Sequence, residues 1–122
     1  MVEKVKINPN GERVKIEISF TGLIVASYEY LLWEAQSNTV LETHQGNNQN
    51  PHDDDYLLPM PLANNIGRII DVRTRFVGLD PDDLKKYEVK VEIFQPNSIR
   101  QVIDSGIVNG KSQFSQIYIT IE

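Results

Sequence analysis

Along most of this chain apolar and polar residues alternate with a period of two, which predicts β-strands that each bury one face. Over residues 13–20, Val14, Ile16, Ile18 and Phe20 share one side while Lys15, Glu17 and Ser19 share the other. Ile70, Val72, Thr74 and Phe76 alternate with Asp71, Arg73 and Arg75. Tyr87, Val89, Val91 and Ile93 alternate with Glu88, Lys90 and Glu92. Ile117, Ile119 and Ile121 stand opposite Tyr118 and Thr120. Val5 and Ile7 mark a short first strand, and residues 27–35, 39–44 and 99–104 are further strand segments. No stretch sustains a helical period. The pattern predicts an all-β, mostly antiparallel sandwich of about seven to nine strands, forming one domain over residues 1–122.

Turn chemistry punctuates these strands. Asn8-Pro9-Asn10-Gly11 predicts a tight hairpin between the first two, since proline pre-sets one turn position and Asn-Gly accepts positive φ. Asn109-Gly110 is a two-residue hairpin signal. Asp82-Asp83-Leu84-Lys85-Lys86 predicts one helical turn, acids first and lysines last. If the stripe Asp71, Arg73, Arg75 and the stripe Glu88, Lys90, Glu92 lie on paired strands, they form cross-strand ion pairs.

Gly78-Leu79-Asp80-Pro81 followed by Tyr87-Glu88-Val89-Lys90-Val91 resembles the E–F corner of fibronectin type III and related immunoglobulin-like domains. In those domains a leucine precedes a proline turn and a tyrosine opens the next strand. Trp33 lies upstream, as their core tryptophan does. The segments from Pro81 to Tyr87 and from Trp33 to Leu79 are longer than in that pattern. The resemblance implies an immunoglobulin-like sandwich, a scaffold that hosts many functions.

Composition narrows the function classes. The 122 residues carry a formal charge of −5, against a general nucleic-acid surface and against adsorption to anionic membranes. The chain has no cysteine, which excludes disulfides, thiolate nucleophiles and cysteine zinc sites. The longest apolar run is too short to span a bilayer. The first residues lack the apolar core of a signal peptide, so the default compartment is the cytoplasm, with export of a processed form left open. Nucleophile-elbow, phosphate-loop and His-Glu-x-x-His signatures are absent, so no catalytic residue is nominated and a non-enzymatic role is expected.

Chemistry concentrates in residues 46–56, GNNQNPHDDDY. Hard cations gather six to eight oxygens from loops. Asp53, Asp54 and Asp55, joined by Asp80, Asp82 and Asp83 from a second loop, are the candidate Ca²⁺ ligands if both loops emerge at one end. The spacing is not that of an EF-hand, and His44 and His52 do not make a zinc ligand set. The competing reading is a solvated loop kept open by charge, whose Pro51 and aspartates block amide ladders. Asn47, Asn48, Asn50, Tyr56, Tyr28 and Tyr30 are the candidate partner contacts. Tyr28 and Tyr30 share one strand face, and Trp33 lies on the other with Leu31 and Ala35. Pro59 and Pro61 exclude YLLPMP from a central strand, so its leucines are expected to tuck a crossing loop onto the sandwich. The sequence thus predicts a binding or assembly module acting through protein partners or self-association. The alternatives are a Ca²⁺-dependent glycan or lipid binder and a small enzyme.

Overall fold

The computed structural model describes residues 1–22, 24–49, 54–78, 85–108 and 112–122. It is all-β. The strands are β1 Val2–Val5, β2 Lys15–Thr21, β3 Val25–Trp33, β4 Val40–Asn47, β5 Asp54–Leu57, β6 Ile69–Val77, β7 Lys85–Gln95, β8 Ser98–Val108 and β9 Ser112–Ile121. A short 3-10 turn, Leu62–Asn65, precedes β6. Sheet A has the order β1-β9-β6-β3-β4 and sheet B the order β5-β2-β7-β8. All pairs are antiparallel except β1 with β9. No helix among the described residues is long and apolar enough to cross a membrane.

The period-two pattern sets which faces meet. Ile16 and Ile18 of β2 and Val89, Val91 and Ile93 of β7 line the inner face of sheet B. Tyr28, Tyr30 and Leu32 of β3, Ile70, Val72 and Phe76 of β6, and Ile117, Ile119 and Ile121 of β9 line the inner face of sheet A. Together they form one buried apolar cluster between the sheets. Leu58 and Leu62 plug it from the connection between β5 and β6; of the two leucines expected to tuck this loop onto the sandwich, Leu58 does so and Leu57 is exposed on the edge strand β5. Asn65 and Arg68 brace this loop: Asn65 Nδ2 donates to the Pro59 carbonyl at 2.8 Å, and Arg68 pairs with Glu34 at 3.1 Å.

Several connections cross between sheets where the sequence signals a hairpin. The Asn8-to-Gly11 turn forms, with Gly11 N–H donating to the Asn8 carbonyl at 3.0 Å. Its flanking strands nevertheless part: β1 pairs with β9 in sheet A and β2 joins sheet B. Strands β8 and β9 likewise belong to different sheets, so they do not pair across residues 109–111, which lie outside the described residues. The expected helical turn at 82–86 falls partly outside as well, and Lys85 and Lys86 open β7. Strands β6 and β7 also sit in different sheets, so their charge stripes do not pair. The ion pairs run along each strand instead, Arg73 with Asp71 at 3.0 Å and Lys90 with Glu92 at 3.4 Å. Two hairpins do close, β3 to β4 and β7 to β8, the second around Pro96-Asn97. Proline fits the first turn position there, and Asn97 takes the positive φ of 65° that the second requires.

Candidate functional site

The polar segment 46–56 links the edge strand of one sheet to the edge strand of the other. Gly46 and Asn47 end β4, and Asp54, Asp55 and Tyr56 belong to β5. Asn50, His52 and Asp53 lie outside the described residues, as do Asp80, Asp82 and Asp83. Asp54 and Asp55 do not converge, because successive strand residues face opposite ways. Asp54 turns inward and accepts a hydrogen bond from the Tyr28 hydroxyl. Asp55 is exposed on the outer face, in register with Glu17. Among the described residues no three His, Cys, Asp or Glu side chains gather as a metal ligand set.

Tyr28 and Tyr30 lie inside the sandwich, so they are not exposed partner contacts. Their strand alternates, and the face with Tyr28, Tyr30 and Leu32 is the one the second sheet covers. The Tyr56 ring stacks on Tyr30 at 4.8 Å and on His44 at 4.6 Å. The Tyr56 hydroxyl meets that of Tyr28. Tyr28 spends its one proton on Asp54, so Tyr56 is the donor in the second bond. Burial, then the bonds to Asp54 and Tyr56, push the Tyr28 phenol well above its ordinary range. Burial and then the charge of Glu42 do the same for Tyr30. Gly46 makes this cluster possible. A Cβ there would come within 2.5 Å of the Tyr28 hydroxyl and of Asp54 Oδ2.

The asparagines serve the fold. Asn48 Oδ1 accepts from Ala26 N–H at 2.9 Å and Asn48 Nδ2 donates to the Ile24 carbonyl at 2.7 Å, so its side chain extends the ladder beside β3. Asn47 accepts from Gln49 N–H at 2.9 Å in a local turn. The described residues of this segment, 46–49 and 54–56, thus tie the two sheets together at their edges.

A groove opens on the outer face of sheet A, about 670 Å³ in volume. Two cross-strand rows build it. One row is Gln116, Arg73, Glu29 and Gln45; the next is Phe114, Arg75 and Ser27. The short side chain of Ser27 leaves the floor low between taller neighbours. Phe114 forms a wall and is 69% exposed, a large apolar ring left in water. Arg75 is exposed and has no ion pair among the described residues.

Beside the groove, one row along the same outer face, lies a fully buried carboxylate. Asp71 sits in the row next to Arg73, paired with Leu31 and Tyr118. It accepts from Trp33 Nε1 at 3.1 Å, Arg73 Nε at 3.1 Å and Gln116 Nε2 at 3.4 Å. Gln116 Nε2 also donates to the Tyr118 hydroxyl at 2.7 Å. Trp33 is therefore on the outer face, half-buried, rather than in the core between the sheets. Burial works to lower the Arg73 pKa, but the hydrogen bond and charge of Asp71 outweigh it and the net shift is upward. The arrangement fixes the Arg73 guanidinium at one place along the groove, with its remaining N–H groups directed away from Asp71.

Sequence reasoning missed this groove. Its residues stand on three strands far apart in the chain, and strand order decides which become neighbours. One signal was available: Phe114 falls on the polar side of the β9 alternation, out of phase with Ile117, Ile119 and Ile121. No family model matches this chain, and no curated protein or solved structure matches it.

Proposed function

We propose that the protein is a non-catalytic binding module that receives a polypeptide segment on the outer face of sheet A. The observation that carries this reading is the pairing of a fixed guanidinium, Arg73, and an uncommitted one, Arg75, with the exposed ring of Phe114 in one groove. Arginine and aromatic residues concentrate binding energy at protein interfaces. The buried Asp71 supports the same reading. A desolvated carboxylate paired with a cation contributes little net stability, while its hydrogen bonds hold Arg73 and Trp33 in place. The chemistry suits a segment that presents a carboxylate to the guanidinium groups and an apolar side chain to Phe114.

The test is selection from a random peptide display library against the wild-type protein, followed by calorimetry with the enriched peptides. The expected peptides carry Asp or Glu beside an aromatic or aliphatic residue. Arg75→Glu and Phe114→Ala should each weaken them by about tenfold or more, in line with interface anchors. Peptides that bind both variants as well as the wild type would refute the assignment.

A further inference from the structure

Four strands end the two sheets, and three of them are protected against pairing. Strand β1 has four residues and carries Glu3 and Lys4. Strand β5 has four residues, begins with two aspartates and runs into Pro59. Strand β4 is broken by a register shift against Leu32 and Trp33. Short length, charge and bulges are the means by which sheet edges avoid foreign strands. Strand β8 is neither short nor bulged, and its two charges, Arg100 and Asp104, both fall on the inner side of its alternation. It runs for eleven residues without proline, lysine or an interruption in its register with β7. Its outer face is a stripe of Ile99, Ile103 and Ile107, exposed by 61%, 40% and 51%, with only Gln101 and Ser105 between them.

That stripe is its own complement. The isoleucines are spaced by four and centred on Ile103, with polar Gln101 and Ser105 symmetric about the same point. We infer that β8 pairs antiparallel with β8 of a second copy of the chain, about a two-fold axis at Ile103, joining two copies of sheet B into one continuous sheet. In that register Ile103 faces its own copy, Ile99 faces the partner's Ile107, and Gln101 faces the partner's Ser105. On the outer face every isoleucine meets an isoleucine, while on the inner side Val102 faces the partner's Asp104. On the inner side Arg100 stands diagonal to the partner's Asp104, so two guanidinium groups flank the two central carboxylates. A slip by two residues would set the isoleucines against Gln101 and Ser105 and would lose this match. The occupant is thus a second β8 rather than an arbitrary strand. The contact is isologous and consumes the edge on both sides, so assembly stops at the dimer. It uses a different face from the groove on sheet A and does not depend on the reading of that groove.

Sedimentation velocity across about 1 to about 200 µM, the range in which modest dimers dissociate, should show monomer converting to dimer and nothing larger. The Ile99→Glu/Ile107→Glu double variant sets glutamates opposite each other twice across the seam, while Glu at 107 faces Lys86 within its own copy. It should associate at least about 100-fold more weakly, with thermal unfolding of the dilute protein near that of the wild type. The chain's lack of cysteine permits a direct reading of register. Facing residues of paired strands have Cβ atoms about 5 Å apart, close enough to oxidise with small adjustment. Ile103→Cys should form a disulfide dimer with itself. Ile99→Cys should not, but should link to Ile107→Cys when the two are mixed. A wild-type protein that stays monomeric at the highest concentration overturns the proposal. So does an undiminished dimer in the double glutamate variant, or a crosslinking pattern centred away from Ile103.

Discussion

Replacing Asp71 by Asn keeps the shape of a fully buried side chain and removes its charge. The amide retains one acceptor oxygen and gains an N–H₂ that must face Trp33, Arg73 or Gln116, all of which donate. Breaking a buried ion pair costs about 3–5 kcal/mol. The Arg73 side chain is 46% exposed and can rehydrate, so about half of that, roughly 2 kcal/mol, is the working figure. One donor set against another adds up to about 1 kcal/mol. The expected loss is about 2–3 kcal/mol. At about 2.1 cal/mol/K per residue over 122 residues, each kcal/mol shifts the melting temperature by about 4 °C. Asp71→Asn should therefore melt about 8–12 °C lower by circular dichroism. Trp33 is the only tryptophan, so its fluorescence reads the same site and should move to longer wavelength as the Nε1 bond is lost. Combined with Arg73→Met in a double-mutant cycle, the two changes should fall short of additivity by about 1–2 kcal/mol. A melting temperature within about 2 °C of wild type, or strict additivity, would refute the account of Asp71 as the anchor of this face.

Gly46→Ala should lower stability by about 1–3 kcal/mol in denaturant titration, because its Cβ would intrude at 2.5 Å on the Tyr28 hydroxyl and Asp54; an unchanged midpoint would show that the cluster yields freely. Tyr28→Phe deletes a bond to a carboxylate and strands the Tyr56 donor, with an expected loss of about 1.5–3 kcal/mol by the same titration. Alkali should destabilise the fold: Tyr28 and Tyr30 keep their protons when native, through burial first, while unfolded tyrosines ionise near pH 10. Above about pH 10 the unfolded state binds fewer protons than the native one, so the stability these residues contribute is complete below that pH. It falls above by up to about 2.7 kcal/mol per pH unit for the two together. Denaturant midpoints at pH 9, 10 and 11 check this, and a flat profile that Tyr30→Phe does not alter would contradict it.

The strands were legible because alternation reports burial directly: Val14, Ile16 and Ile18 occupy the face that their spacing assigns. The partners of those strands were not. Asn8-to-Gly11 reads as a hairpin because turn chemistry is local, yet whether the chain then returns beside itself or crosses to another sheet depends on packing of distant strands. Pro96-Asn97, which was not singled out in the sequence, has the same local chemistry and does close a hairpin. Asp71 looked like one charge in a solvent stripe, because only strand order brings Trp33 and Gln116 over it. Tyr28 and Tyr30, candidate partner contacts from the sequence, are buried for a simple reason. Period two separates the faces of a strand without saying which is covered, and the face with two tyrosines proved to be the inner one.

The parallel pairing of β1 with β9 has a mechanical consequence. Val2 lies beside Tyr118 and Val5 beside Ile121, and the ladder continues where Ile7 N–H donates to the Glu122 carbonyl at 3.0 Å. Tension entering at the start of β1 and leaving at the end of β9 would pull these strands past each other lengthwise. Their hydrogen bonds lie across that pull and must rupture together, whereas a hairpin pulled from its open end unzips one bond at a time. Stretching a single molecule should show this as a high force peak, lowered when Ile7→Pro removes the donor to Glu122. The seam is thus placed to act as a shear clamp for any load carried through this domain.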